Sequence, residues 1–106
     1  MTVFIDLGVE RVFGAEKDGK RIAVEVKTFG NPSFMTALYE AVGKYAVYRN
    51  ALRLDESDRI LYLAMPEDVY DRYAKEPLFI GSLEDEKINL ILFETDIEKI
   101  TRWITR

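Results

Sequence analysis

One short run, from Arg59 to Met65, limits the fold of this chain more than any other feature. Its residues, Arg-Ile-Leu-Tyr-Leu-Ala-Met, would place apolar side chains on both faces of an extended strand. Such a strand belongs in the middle of a sheet, because only there are both of its faces covered. A long amphipathic segment precedes the run. The pattern therefore predicts a parallel strand that is reached through a crossover helix.

Three strands are predicted ahead of that helix, at residues 2–7, 11–17 and 20–28. The sequence Lys17-Asp18-Gly19-Lys20 predicts a tight hairpin between the second and third strands, because glycine accepts a positive φ. In the third strand Ile22, Val24 and Val26 alternate with small and charged residues. One face of this strand is therefore apolar, and the other is small and charged.

The second half of the chain alternates between helical and extended patterns. Ser33 is expected to cap a helix over about 34–53. The predicted apolar stripe of this helix consists of Phe34, Leu38, Ala41, Val42, Tyr45, Ala46 and Leu52. After the strand at 59–65, Pro66 opens a short helix, 78–83 is predicted as an extended piece and 88–93 as a buried strand. Thr95-Asp96-Ile97-Glu98 resembles a capping box and predicts a final helix.

The resulting order, β-β-β-α-β-α-β-α, predicts a single α/β domain over residues 1–106. The chain has no cysteine and no histidine, which excludes Ser-His-Asp triads, thiolate nucleophiles and the common zinc sites. Its net charge of -4 argues against tight, sequence-blind binding to DNA. No apolar run reaches the roughly 18–20 residues of a membrane span, and the start lacks a secretory signal. We therefore expect a cytoplasmic protein.

Acidic residues in the first quarter of the chain suggest a metal site. Glu25 and Lys27 are two residues apart on a predicted strand, so their side chains project from the same face. Asp6 or Glu10 on a neighbouring strand could join Glu25 in binding Mg²⁺ or Mn²⁺, which prefer oxygen ligands. Lys27 could then stabilise charge growing on a phosphate. The alternative is a solvent-facing strand whose Glu and Lys residues form cross-strand pairs worth ~0.2–1 kcal/mol.

Several short motifs of this chain, taken in order, resemble those of the XisH family. Its members are cyanobacterial proteins named as controlling factors for excision of the fdxN element. The resemblance begins with Ile5-Asp6-Leu7-Gly8-Val9-Glu10-Arg11, Ala15-Glu16-Lys17-Asp18-Gly19-Lys20 and Ile22-Ala23-Val24-Glu25-Val26-Lys27. It continues through Ala41-Val42-Gly43-Lys44-Tyr45, Arg59-Ile60-Leu61-Tyr62-Leu63-Ala64 and Pro66-Glu67-Asp68-Val69-Tyr70. Each piece is short, but together they cover nearly the whole chain in the same order.

The resemblance implies a restriction-endonuclease-like fold, a mixed sheet flanked by helices whose signature is an Asp followed by a Glu-x-Lys strand. Glu25 and Lys27 match the Glu-x-Lys part. The usual hairpin register would place the upstream acid near Val12, which cannot bind metal. Asp6 is therefore our first choice and Glu10 our second. Relatives begin with a helix and a strand ahead of this motif. We expect that N-terminal helix to be missing, which would leave an apolar sheet surface uncovered and favour association with a partner or with a second copy, as a homo-oligomer.

Related nuclease folds carry a Gln and, four residues later, a Tyr on the helix after the Glu-x-Lys strand. The matching residues here are Lys44 and Tyr48. With Arg49 they form a candidate DNA contact, the alternatives being a solvated lysine, a core tyrosine and ordinary charge scatter.

Two functions stay open at this stage. One is an accessory factor for excision of a DNA element, with metal-dependent phosphodiester chemistry as an endonuclease would perform it. The other is a non-catalytic interaction module on a degenerate nuclease fold. In both cases the resemblance implies a companion excision-control protein and a recombinase as partners.

Overall fold

A six-stranded mixed sheet with three helices forms the fold, in the computed structural model that describes residues 3–6, 11–29, 33–97 and 99–106. Side chains are described from Val12 onward within these ranges. The elements in chain order are β1 Val3–Asp6, β2 Arg11–Lys17, β3 Lys20–Val26, α1 Phe34–Leu54, β4 Ile60–Pro66, α2 Glu67–Tyr73, α3 Pro77–Asp85, β5 Leu90–Glu94 and β6 Lys99–Ile104.

The strands lie in the sheet in their sequence order, β1-β2-β3-β4-β5-β6. The pairs β1–β2, β2–β3 and β5–β6 are antiparallel, whereas β3–β4 and β4–β5 are parallel. The predicted hairpin between β2 and β3 is confirmed, and both Asp18 (φ 52°) and Gly19 (φ 79°) have a positive φ. The predicted parallel crossover is also confirmed, since α1 connects β3 to β4.

Helix α1 begins as its sequence predicts. The Ser33 side chain accepts a hydrogen bond from the backbone N–H of Thr36 at 3.2 Å and caps the helix. The buried residues of α1 are Ala37, Leu38, Ala41, Tyr45, Tyr48 and Leu52. Ala46, which we placed on the apolar stripe, is exposed instead, and Tyr48 is buried. The buried stripe is therefore rotated slightly from the predicted one.

Two predicted elements are wrong. Residues 78–83 belong to helix α3, not to an extended piece, because Pro77 starts the helix and Phe79 and Leu83, four residues apart, both face the core. Residues 99–104 form strand β6, not a helix. Residues 95–97 turn the chain, and β6 then pairs antiparallel with β5, from Leu90 opposite Ile104 to Glu94 opposite Lys99.

All three helices contribute to the core on one face of the sheet. This main core joins residues of α1 and α3 to alternate residues of the strands, such as Ala23, Leu61, Leu63, Leu90 and Leu92, with Tyr70 and Tyr73 of α2 packed against it. The run at Ile60–Pro66 is the central strand that the sequence predicts, with every residue but the first buried.

The other face, which we call the open face, holds a second cluster made of strand residues alone. It consists of Ile22, Tyr62, Ala64 and Ile91, with Ala15, Val24, Phe93 and Trp103 packed against them. No helix of the described part of the chain belongs to this cluster. The apolar face predicted for the third strand is thus the open face, and the small and charged face lies towards the helices.

Candidate functional site

Glu25 lies on β3, beside Leu63 of the parallel neighbour β4. It shares the face of Ala23, which is the face covered by α1, and only 7% of its surface is exposed. A solvent-facing strand, the alternative considered above, would leave this carboxylate in water. Burying a carboxylate is costly unless other groups compensate for the lost hydration. The position of Glu25 therefore marks this end of β3 as a candidate site.

Lys27 follows the end of β3 and is fixed through both its backbone and its side chain. Its backbone N–H donates to the carbonyl oxygen of Ala64 at 2.9 Å, which extends the pairing with β4. Its Nζ donates to Oε2 of Glu40 on α1 at 2.8 Å, and the Lys27 side chain is 19% exposed. The hydrogen bond and the positive charge of Lys27 hold the pKa of the Glu40 carboxyl below its usual range.

Tyr45 connects the same helix to the sheet. Its hydroxyl donates to the carbonyl oxygen of Leu61 at 2.7 Å and accepts from the backbone N–H of Asn89 at 3.1 Å. Burial raises the pKa of the Tyr45 hydroxyl, and the negative charge of Glu25 adds a smaller effect in the same direction. Glu25 therefore interacts electrostatically with the inner face of α1, and this helix contributes to its surroundings.

The predicted acidic partners of Glu25 lie at the start of the chain. Asp6 ends β1, where its backbone pairs with Arg11, but its side chain lies outside the described residues, as does all of Glu10. The described hairpin pairs Phe13 with Val24, so one further step places Val12 opposite Glu25. Val12 is completely buried. Among the described residues there is no group of three acidic side chains that could hold a metal ion. The predicted metal site therefore depends on Asp6 or Glu10.

The residues predicted to contact DNA occupy three different environments along α1. Lys44 is half-buried and lies one turn after Glu40, on which its charge acts. Tyr48 is only 5% exposed and belongs to the main core. Arg49 reaches α3, where its guanidinium donates to the carbonyl oxygen of Glu86 at 2.7 Å and also stands over the Tyr45 ring.

Glu40 is the residue of this site that the sequence did not indicate. It lies thirteen positions after Lys27 and sits in an ordinary amphipathic helix. The pairing depends on how α1 crosses back over the sheet, which no local spacing reveals. Its one sequence signal is its place on the turn before Lys44, where an acid and a base four residues apart can interact.

The described geometry defines a class: a mixed α/β domain with a buried Glu and a Lys at the end of a central strand, beneath a crossover helix. No helix in the described part of the chain has the length and apolar character needed to cross a bilayer.

Comparison with known proteins agrees with the resemblance seen in the sequence. The sequence profile of the family described as XisH protein matches residues 1–101, and the chain belongs to the XisH family. A crystal structure of an XisH family protein from Nostoc punctiforme PCC 73102 is similar, with a TM-score of 0.84 and 29% identity, over 97% of this chain and 83% of that one.

A second solved structure is similar to the same degree. It is an fdxN element excision controlling factor protein from Anabaena variabilis, 31% identical, with a TM-score of 0.84 over 97% of this chain and 82% of that one. No curated protein matches the sequence.

Proposed function

We propose that this protein is an accessory factor that controls the excision of a DNA element by site-specific recombination. The observation that carries the proposal is its membership of the XisH family over residues 1–101, together with the name of its Anabaena variabilis neighbour. The partners would be the recombinase and a companion excision-control protein. The action on DNA would place the protein in the cytoplasm.

Within that role, we propose a restriction-endonuclease-like fold with Mg²⁺- or Mn²⁺-dependent action on DNA phosphodiesters. Glu25 supports this proposal, because a buried carboxylate beside a lysine at a strand end is the kind of group that functional sites retain. Glu25 with Asp6 or Glu10 would hold the cation, which would supply Lewis acidity at the phosphate. Lys27 would stabilise the negative charge of the phosphate. Lys44 and Arg49 would contact the DNA backbone.

The contact between Lys27 and Glu40 bears on how this site would act. Lys27 already donates to a carboxylate at 2.8 Å, so its charge is partly neutralised before any phosphate approaches. Bound DNA would have to compete with Glu40 for Lys27. Replacing Glu40 with Gln is therefore expected to strengthen DNA binding, and replacing Lys27 with Met to weaken it.

The test is calorimetric titration of Mn²⁺ into the whole chain and into Glu25→Gln, which keeps the size of the side chain. We expect binding in the micromolar range that the variant loses. Glu84→Gln, on the exposed side of α3, is the matched control and should bind Mn²⁺ as the wild type does. Lys27→Met should leave metal binding intact but abolish any cleavage of plasmid DNA.

A second candidate function is a non-catalytic interaction module on the same fold. The apolar open face favours it, because no described helix covers this sheet surface, and a large exposed apolar surface is typical of a binding site. The calorimetry separates the two candidates. Absence of Mn²⁺ binding by the wild type would contradict the metal-dependent site and leave the interaction module as the function of this chain.

A further inference from the structure

The parallel centre of the sheet has described helices on one face only. Strands β3, β4 and β5 lie side by side in sequence order, and both connections between them are helical. Parallel crossovers are right-handed in nearly all proteins, so two crossovers that step in the same direction put their helices on the same face. Helices α1, α2 and α3 all pack there, at the main core. Because parallel strands usually have both faces covered, the open face is the place for one more helix.

The open face offers the surface on which such a helix would pack. A groove of about 510 Å³ lies on it, and Val24, Ala64, Ile91 and Trp103 are among its lining residues. The groove is mostly hydrocarbon, and it is shallow, since Ile100 in its lining keeps 46% of its surface exposed. Pockets for small molecules bury most of their ligand. A shallow apolar groove instead suits the apolar stripe of a helix about 10 Å wide.

Positive charge is concentrated at one end of the open face. Lys17 and Lys20 lie opposite each other in the β2–β3 ladder and line a smaller cavity of about 200 Å³, which shares Ile22 with the groove. Lys17 Nζ lies 4.7 Å from the centre of the Trp103 ring and 3.1 Å from Oδ2 of Asp18. Alternation puts no other charged side chain of the described strands on this face. The surface therefore complements an apolar partner that is acidic at one end.

A second copy of this chain does not meet that description. Its open face carries the same two lysines, and the described strands place no acidic side chain there. Its helices cannot supply an apolar face either, because residues such as Leu38 and Phe79 are buried in their own core.

We propose that the open face binds an amphipathic helix of a partner protein. The apolar stripe of this helix fills the groove, and acidic residues at one of its ends meet Lys17 and Lys20. The inference rests on the interaction module, the second candidate function above, and specifies the chemistry of its partner. It does not depend on the chemistry at Glu25.

A designed peptide is the probe for this surface. Strand β4 has seven residues and spans roughly 23 Å, which a helix of about 15 residues matches. The peptide has leucines at helical spacing along one face, glutamates in its first turn and no tryptophan, and its matched peptide has glutamines instead of the glutamates. Trp103, the single tryptophan of the protein, lines the groove, so its fluorescence reports binding. We expect the acidic peptide to bind with a Kd of about 10 µM and the glutamine peptide roughly fivefold more weakly.

Variants of the protein separate the apolar contact from the charge contact. Ile100→Asp should weaken the binding of both peptides by about tenfold or more, because it buries a carboxylate against the helix. The double variant Lys17→Gln, Lys20→Gln should no longer prefer the acidic peptide, since that preference comes from charge. Lys75→Glu changes an exposed charge between α2 and α3 and should bind both peptides as the wild type does. Circular dichroism shows whether each variant is folded.

Three results would overturn the proposal. The first is a folded wild type that does not bind the acidic peptide at about 1 mM. The second is a wild type that binds the two peptides equally. The third is a wild type that sedimentation equilibrium shows to be a dimer and that Ile100→Asp makes monomeric, because a second copy would then occupy the face and the interaction module would survive without the partner helix. The Mn²⁺ titration of Glu25 does not involve this face, so failure of the metal site is recognised separately.

Discussion

At the scale of single residues, the buried hydroxyl of Tyr45 is the polar group that most directly ties α1 to the sheet. It satisfies the backbone N–H of Asn89 and shares the carbonyl of Leu61 with the Asn89 side chain, whose Nδ2 donates to that oxygen at 3.1 Å. Without the hydroxyl, the carbonyl oxygen of Leu61 would still accept a hydrogen bond from the Asn89 side chain. The backbone N–H of Asn89 would have no acceptor among the described contacts.

We therefore predict that Tyr45→Phe lowers the free energy of unfolding by about 1–3 kcal/mol, the cost of leaving a buried polar group unsatisfied. Urea titration followed by circular dichroism measures this. Tyr39→Phe, on a side chain that is 68% exposed, is the control and should change little. Equal stability of Tyr45→Phe and the wild type would mean that water replaces the hydroxyl.

The ion pair between Glu40 and Lys27 predicts a dependence of stability on pH. Because the pKa of Glu40 is lowered in the folded protein, its stabilising effect is complete above the pKa of the unfolded chain and disappears as the pH falls through the folded pKa. Glu40→Gln should therefore be less stable than the wild type at neutral pH, and the difference should shrink and then disappear as the pH falls below the usual range of a glutamate carboxyl.

Urea midpoints of the two proteins at neutral and acid pH measure this difference. Glu84→Gln, on an exposed carboxylate of α3, should follow the wild type at both. A difference between Glu40→Gln and the wild type that stays constant with pH would show that the ion pair is not responsible.

At the scale of elements, helix α3 packs into the core through Phe79 and Leu83, and Phe79 is the aromatic residue of the two. Phe79 is completely buried and its ring contacts those of Phe29, Phe34, Tyr70 and Tyr73, with centroids between 5.7 and 6.4 Å away. These partners come from α1, α2 and the segment after β3. Phe79 thus connects α3 to the rest of the helical layer.

Phe79→Ala is expected to lower the free energy of unfolding by about 3–5 kcal/mol, since it removes buried apolar surface and leaves a cavity. Leu78→Ala changes the neighbouring residue, which is 58% exposed, and should cost much less. Thermal unfolding of both variants provides the comparison. Similar losses for the two variants would show that α3 is not anchored through Phe79.

At the scale of the whole molecule, the chain is predicted to unfold as one cooperative unit. Trp103, the single tryptophan, lies on β6 at one edge of the sheet, whereas the helical signal in circular dichroism comes mainly from α1. The two probes therefore report on opposite sides of the molecule. In a single domain their urea transitions should coincide.

The measurement is fluorescence and circular dichroism on the same samples, so that the two transitions are compared under identical conditions. The ring of Trp103 packs against that of Tyr62 on β4, with the ring centroids 5.4 Å apart, so its fluorescence also reports on the contact between these two strands. A Trp103 transition at clearly lower urea would show that the β5–β6 ribbon unfolds separately.

The elements that the sequence predicted well are those with strong local signals. The hairpin follows from Asp18-Gly19, because few residues accept the positive φ found there. Helix α1 follows from its Ser33 cap and apolar spacing, and β4 from a run of apolar residues too short to be a buried helix. The Glu-x-Lys motif likewise placed Glu25, on β3, and Lys27, just after its end, on one side of the sheet.

The elements that were wrong have patterns that fit two structures. Ile97, Ile100, Trp103 and Ile104 have helical spacing, yet β6 forms because β5 offers a free edge for pairing. Periodicity could not reveal this, because the partner strand is part of the tertiary structure. In α3, the apolar run after Pro77 allowed either a helix or a strand, and packing around Phe79 settled it.

Local patterns along the chain predict the hairpin, the crossover helix, the central strand and the family. Which face of β3 is covered depends on the tertiary structure. Alternation reveals that a strand has two different faces, but the side on which a crossover helix lies depends on the path of the whole chain. That path buries Glu25 beneath α1, brings Glu40 to Lys27, and leaves the apolar face of Ile22, Val24 and Val26 without a helix from the described part of the chain.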